Sequence, residues 1–166
     1  MPDKKMYHTQ EKRVENLTMP IICTDDYAWL GEAFYFWEEE HDAHVWGKRR
    51  KKKTGQYQIY TADLDCSNIL DTVFNEKHYK FWLKSIEKVA QQFIDKTRIK
   101  PTLKELNEYF MSKGQWNEVD GIMFQDLPLN NSYLLIKDFN YRKRIQLAVY
   151  NSSIVFNFAL YKEERC

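Results

Sequence analysis

His8 and Tyr35 are the side chains of this sequence whose types and settings could do chemistry. His8 stands in the short segment Met6-Tyr7-His8-Thr9. Tyr35 ends the run Gly31-Glu32-Ala33-Phe34-Tyr35, and Ala43-x-x-Trp46 comes soon after. An imidazole and a phenol on two neighbouring strands form a clamp for a flat heteroaromatic ring attached to a sugar. Each residue also has a plainer reading. His8, Tyr35 and Trp46 could be core residues, and a buried Gln146 could be satisfied by purely structural hydrogen bonds.

The elements that must position these residues are legible to different degrees. Lys5–Thr9 reads as extended, with a short helix over Gln10–Leu17 as one continuation. Thr18–Leu30 reads as loop, with a short strand at Ile21–Cys23. Phe34-Tyr35-Phe36-Trp37 suits a strand. Glu38–Lys53 reads as a helix, because acids at its start and bases at its end complement the dipole. Thr54-Gly55 stops it. Gln56–Asp65 alternates as a strand does. Trp82, Ile86, Val89 and Phe93 make His78–Lys96 an amphipathic helix. Thr102-x-x-Glu105 is a capping box that opens a further helix, with Gly114 as its stop. Val119–Phe124, Tyr133–Ile136, Ile145–Tyr150 and Val155–Leu160 are four strand candidates. Strands at both ends and helices between them predict an α+β domain with mixed or antiparallel sheets.

With 166 residues and no internal repeat or break, the sequence reads as one domain, residues 1–166. Five Trp, eleven Tyr and ten Phe are too many rings for the interior alone, so some must line a cleft or surface. A formal charge of +1 favours no particular class of partner. Cys23, Cys66 and Cys166 have neither metal-ligand spacing nor an even count, which predicts no metal site and a reducing, cytoplasmic setting. No apolar run approaches membrane-spanning length, and no signal segment is visible, so no membrane partner is expected. Glycine-rich phosphate loops and Ser-His-Asp orders are missing. The basic run Lys48, Arg49, Arg50, Lys51, Lys52, Lys53 exceeds what a helix end requires. It is either a solvated face or a grip on a nucleic-acid backbone.

Taken together, Tyr7-His8-Thr9, Gly31 to Tyr35, Ala43-x-x-Trp46 and Gln146 to Asn151 resemble the ADP-ribosyltransferase superfamily, in the branch of diphtheria toxin and the poly(ADP-ribose) polymerases. Asp120-Gly121-Ile122 looks like the Asp-Gly-Val/Ile strand of small bacterial and phage-borne members. The resemblance spans residues 6–154 and rests on the order and spacing of short motifs. It implies a split sandwich of two small mixed or antiparallel sheets with flanking helices, and NAD as co-substrate. By the same resemblance His8 hydrogen-bonds the adenine-side ribose, and the backbone beside it, at Thr9, holds the nicotinamide carboxamide. Tyr35 stacks on the nicotinamide ring with Trp46 or Phe34 in support. Gln146 stands where the family has its catalytic glutamate.

Two departures matter. Thr9 replaces the glycine that follows the family's histidine, and its β-carbon narrows access to the backbone. The amide of Gln146 cannot offset, as a charge, the positive charge that grows on the ribose when nicotinamide leaves. The function implied is mono-ADP-ribosyl transfer from NAD to a protein or nucleic-acid acceptor by a toxin, effector or phage-defence factor, with an antitoxin or inhibitor as a further partner. NAD hydrolysis and a catalytically inactive binding module are the rivals. Another acid that folds in, such as Glu32 or Asp120, would compensate for the amide of Gln146.

Overall fold

The computed structural model describes residues 3–166. The elements run β1 (Lys4–Glu11), β2 (Phe34–Trp37), α1 (Glu40–Arg50), β3 (Gln56–Leu64), β4 (Ile69–Asp71), α2 (Glu76–Thr97), α3 (Leu103–Ser112), β5 (Gly121–Gln125), β6 (Ile145–Val149) and β7 (Val155–Arg165). The strands form one seven-stranded mixed sheet in the order β4-β5-β6-β2-β1-β3-β7. Only β4 and β5 pair in parallel. The domain is therefore α+β, with its strands joined in one sheet rather than two.

The ladders are uneven. β1 and β3 pair from Lys4↔Leu64 to Glu11↔Tyr57, and β2 pairs along its length with β6. The junction between these two blocks, β1 with β2, is registered at the single pair Tyr7↔Trp37. One core cluster takes Met6, Ala62 and Leu64 from one block and Phe36, Met123, Leu147 and Val149 from the other. The opposite face is covered twice. Helices α2 and α3 bring Val89, Leu106 and Phe110 against Ile122, Phe124 and Ala148. Ala43 of α1 packs with Trp37, Tyr57 and Ile59. An open space is left between these two coverings.

Local chemistry explains the elements. Asn75 caps α2 by accepting from Lys77 N–H and His78 N–H. Thr102 and Glu105 form the reciprocal capping box of α3. Gly114 takes φ 74° after its end, a conformation that glycine adopts without penalty. Helix α1 is shorter than the charge pattern predicts: Lys51 leaves the helical region at φ −99°, ψ 64°, and Lys52 and Lys53 lie beyond it. No helix forms over Gln10–Leu17, because Gln10 and Glu11 extend β1 against Gln58 and Tyr57. The strand expected at Ile21–Cys23 is reduced to one bridge, Cys23↔Ala33. The strand expected at Tyr133–Ile136 is absent, and Asn131–Tyr133 forms a 3-10 turn. The three-residue strand β4 is new. The last strand runs on to Arg165 along β3.

Gly47 fixes how closely α1 sits on the sheet. A Cβ there would fall 2.4 Å from Cδ2 of Tyr57, whose side chain is fully buried. Alanine normally stabilises a helix interior by about 1 kcal/mol over glycine. Here overpacking of about 1–3 kcal/mol opposes that gain. Gly47→Ala is expected to lower the urea midpoint and shift α1 outward.

Candidate functional site

The open space is a cleft of about 580 Å³, walled by β1, β2, β6, the second half of α1, the segment 21–29 and the loop after β5. That is the size of a pocket for a small-molecule ligand or cofactor. His8, Thr9, Tyr35, Trp46 and Gln146 all line it. They meet because β6, β2 and β1 are consecutive in the sheet although far apart in sequence.

His8 sits where the β1–β2 ladder fails. Its Nδ1–H donates to the Tyr35 carbonyl at 2.9 Å, replacing a backbone donor. Its Nε2 accepts from the Gln10 side-chain amide at 3.1 Å and from Ile21 N–H at 3.3 Å. These partners fix the Nδ1–H tautomer. Phe36 and Phe158 flank the ring. Burial lowers the His8 pKa to about 4; the hydrogen bond to the Tyr35 carbonyl opposes this and Lys51 adds slightly to it. His8 thus reaches the cleft as a neutral imidazole with both nitrogens already engaged.

Tyr35 points its hydroxyl at the segment that roofs the cleft. It donates to the Gly31 carbonyl at 2.7 Å and accepts from Leu30 N–H at 3.1 Å. Gly31 takes φ 75°, which suits the turn there. Asn107 donates to the Leu30 carbonyl, and the Tyr150 hydroxyl also reaches that carbonyl, at 3.1 Å. Burial and the neighbouring Tyr150 raise the Tyr35 pKa far above its usual value, so the phenol stays protonated. The hydroxyl therefore secures the roof, while the ring faces the cleft and Phe124 edge-on. Tyr35→Phe is expected to cost about 1–3 kcal/mol, since it leaves the buried Gly31 carbonyl and Leu30 N–H without that partner. Faster amide exchange at residues 27–31 would report it.

Thr9 donates to the Ala43 carbonyl at 3.0 Å and ties β1 to α1. Trp46 lies 6.0 Å from Trp37, ring centroid to centroid, with the Arg50 guanidinium over it. Phe34 does not support the cleft as expected. Strand alternation turns it away from Tyr35, and it packs against the Met6–Phe36–Val149 cluster. The basic run is divided. Arg49, Arg50 and Lys51 line the cleft, whereas Lys48, Lys52 and Lys53 do not. Arg50 also lies over Tyr27.

The far end of the cleft holds a constellation that sequence reasoning missed. Gln146 Nε2 donates to Asp126 Oδ2 at 3.3 Å. Arg144 Nη1 stands 3.3 Å from the same oxygen and donates to the Leu127 carbonyl at 3.0 Å. Arg144 Nε is 3.5 Å from Asp42 Oδ1 and makes no aligned hydrogen bond. The guanidinium covers Trp37 at 4.8 Å. Burial raises the pKa of both Asp126 and Asp42. Leu127 N–H, Arg144 and Gln146 oppose the rise at Asp126, and Arg144 is the main opponent at Asp42, with smaller help from His41 and Arg142. A buried carboxylate, Asp42, and a partly exposed one, Asp126, thus share one buried guanidinium. The antiparallel register Gln125↔Ile145 sets residues 126 and 144 opposite each other, a long-range pairing that no local sequence signal announces. Asp126 N–H donates to the Arg144 carbonyl at 2.7 Å. Glu32 and Asp120 do not fill this role. Glu32 is exposed, and Asp120 accepts from Asn151 away from the cleft.

The cleft thus carries Arg49, Arg50 and Lys51 on one side and the Asp126–Arg144 pair with Gln146 on the other, with aromatic rings between, and Asp42 stands behind Arg144 outside the lining. Among the described residues no group of His, Cys, Asp and Glu could hold a metal ion, and no helix is long and apolar enough to cross a membrane. No family model, curated protein or solved structure matches the chain.

Proposed function

We propose that this protein binds NAD in the cleft and acts as a mono-ADP-ribosyltransferase toward a protein or nucleic-acid acceptor. The observation that carries this reading is the convergence of His8, Tyr35 and Gln146 on one cleft that also presents Arg49, Arg50 and Lys51 on one side and Asp126 on another. NAD has matching chemistry. Its pyrophosphate suits Arg49, Arg50 and Lys51, and its cationic nicotinamide riboside suits the Asp126 side. Tyr35 and Trp46 offer ring faces to the bases. A ribose hydroxyl would replace Gln10 on Nε2 of His8.

The single-pair junction between β1 and β2, and the core cluster shared by the two blocks, support reading the sheet as a split sandwich of the ADP-ribosyltransferase kind. On that reading the chain is a toxin, effector or phage-defence factor whose activity an inhibitor protein would hold in check. An inactive binding module is the second reading. It is favoured by the amide at position 146 and by the protein partners that already occupy His8 and Tyr35.

Calorimetry with NAD, nicotinamide release, and transfer of labelled ADP-ribose to lysate protein or RNA test the proposal. Binding, release and label are expected together. Binding without release supports the inactive module, and no binding ends both readings. Arg49→Ala/Arg50→Ala is expected to weaken NAD binding about tenfold or more, through loss of charge-assisted bonds. Neutralising Lys48, Lys52 and Lys53 is expected to leave NAD affinity unchanged. It should flatten the salt dependence of any RNA binding.

A further inference from the structure

We infer that Asp126 supplies, through Gln146, the negative charge that glycosidic-bond cleavage in this cleft requires, an inference that rests on the proposed NAD chemistry. The geometry fixes the direction of the amide. Gln146 presents Nε2 to Asp126 Oδ2 at 3.3 Å, because its Oε1 would repel a carboxylate. Oε1 is therefore the atom left for the ligand. It has no hydrogen-bond partner among the described residues, and Gln146 lines the cleft. An amide polarised by a carboxylate beside it is a better acceptor than a free amide.

The charge balance points the same way. Asp42 and Asp126 flank Arg144, so the contact cluster holds two acids for one base. Buried charge without a full complement is expensive to maintain. A cation developing in the cleft would complete it. In the reaction the C1′–N bond of the nicotinamide riboside breaks, and its electron pair leaves with the nicotinamide nitrogen, which becomes neutral. The positive charge passes to C1′ and the ring oxygen of the ribose. An acceptor oxygen then bonds to C1′ and releases its proton to solvent. Gln146 Oε1 holds a hydroxyl of that ribose, and Asp126, which also lines the cleft, stands beside it as a positioning residue and source of field. Oδ1 of Asp126 is held by Leu127 N–H at 2.8 Å, which keeps the carboxylate from turning away.

The test compares the unaltered protein with Asp126→Asn, Gln146→Glu and the double variant in which the two types are exchanged. Nicotinamide release gives kcat and KM, calorimetry gives NAD affinity, and thermal melts confirm folding. Asp126→Asn is expected to lower kcat about 100-fold with little change in KM. Gln146→Glu alone is also expected to lose activity, because two carboxylates would stand within contact distance. The exchanged variant, which carries one carboxylate on the ribose side, should recover kcat about tenfold or more over Asp126→Asn. A merely structural Asp126 would instead show its loss in the melting temperature and in KM along with kcat. Unchanged kcat in Asp126→Asn, or a folded, NAD-binding exchanged variant no faster than it, overturns the inference and leaves the proposed function standing. An unaltered protein that binds NAD without cleaving it overturns the inference and leaves only the binding module. An unaltered protein that binds no NAD removes the proposed function itself.

Discussion

Arg144→Ala is expected to destabilise the fold by about 3–5 kcal/mol, the usual effect of removing one partner from a buried ion pair. The guanidinium is the shared counter-ion of Asp42 and Asp126, and its side chain is 6% exposed. Without it Asp42 remains buried and Asp126 half-buried, and each must protonate or open the structure to water. The Leu127 carbonyl loses its donor and Trp37 loses its covering cation. Because a domain of this size is commonly stable by about 5–15 kcal/mol, the loss takes a large share of the whole. Urea denaturation at neutral pH measures it. Asp42→Asn/Asp126→Asn in the Arg144→Ala background should restore much of the stability, since it removes the stranded charges. A drop below about 1 kcal/mol in Arg144→Ala would mean that water already reaches the cluster.

Mild acid is the second large perturbation. His8 titrates near 6.5 when unfolded and at about 4 in the folded protein. Between those values the unfolded chain takes up a proton that the native state refuses. The native state is therefore favoured fully above about pH 6.5, and that advantage falls away as pH drops toward 4. The loss amounts to about 3 kcal/mol once the folded value is passed. Asp42 and Asp126 act in the opposite sense, because their raised pKa values let the native state gain protons before the unfolded chain does. Stability measured by denaturant at several pH values should fall across this window in the unaltered protein. It should fall less steeply in His8→Gln, which has no proton to take up. Equal slopes would show that the imidazole is already in contact with water.

His8 and Tyr35 cannot be removed without disturbing the fold. Both are woven into it, His8 as a bridge between strands and Tyr35 as an anchor for the roof. Alanine at either position is expected to reduce stability as well as any ligand binding.

Much of the scaffold could be read from the residues alone. The Thr102–Glu105 capping box and the spacing of Trp82, Ile86, Val89 and Phe93 identify their helices because each signal is local. His8, Tyr35 and Gln146 could be chosen by type and order, and all three line the same cleft. Phe34 was a legible error: alternation along a strand forbids Phe34 and Tyr35 from facing the same side. Other features depend on long-range pairing. Nothing near Gln10 announces that it will continue a strand, because its partner Gln58 lies far along the chain. Ile69–Asp71 is too short to show a period. Arg144 ends a basic triplet with Arg142 and Lys143, and only the β5–β6 pairing shows which of the three turns inward.

The order of the strands also governs how the molecule can be assembled. Strand β3 is made early, yet its outer neighbour β7 comes far downstream. During synthesis the backbone groups along Gln56–Leu64 must wait, exposed on that side, until Val155–Arg165 emerges. Such delayed pairing slows folding and invites mispairing with other nascent chains. The final strand is thus the lock on the β1–β3 block, and shortening it from its C-terminal end should trap the chain in association-prone intermediates before any effect reaches the cleft.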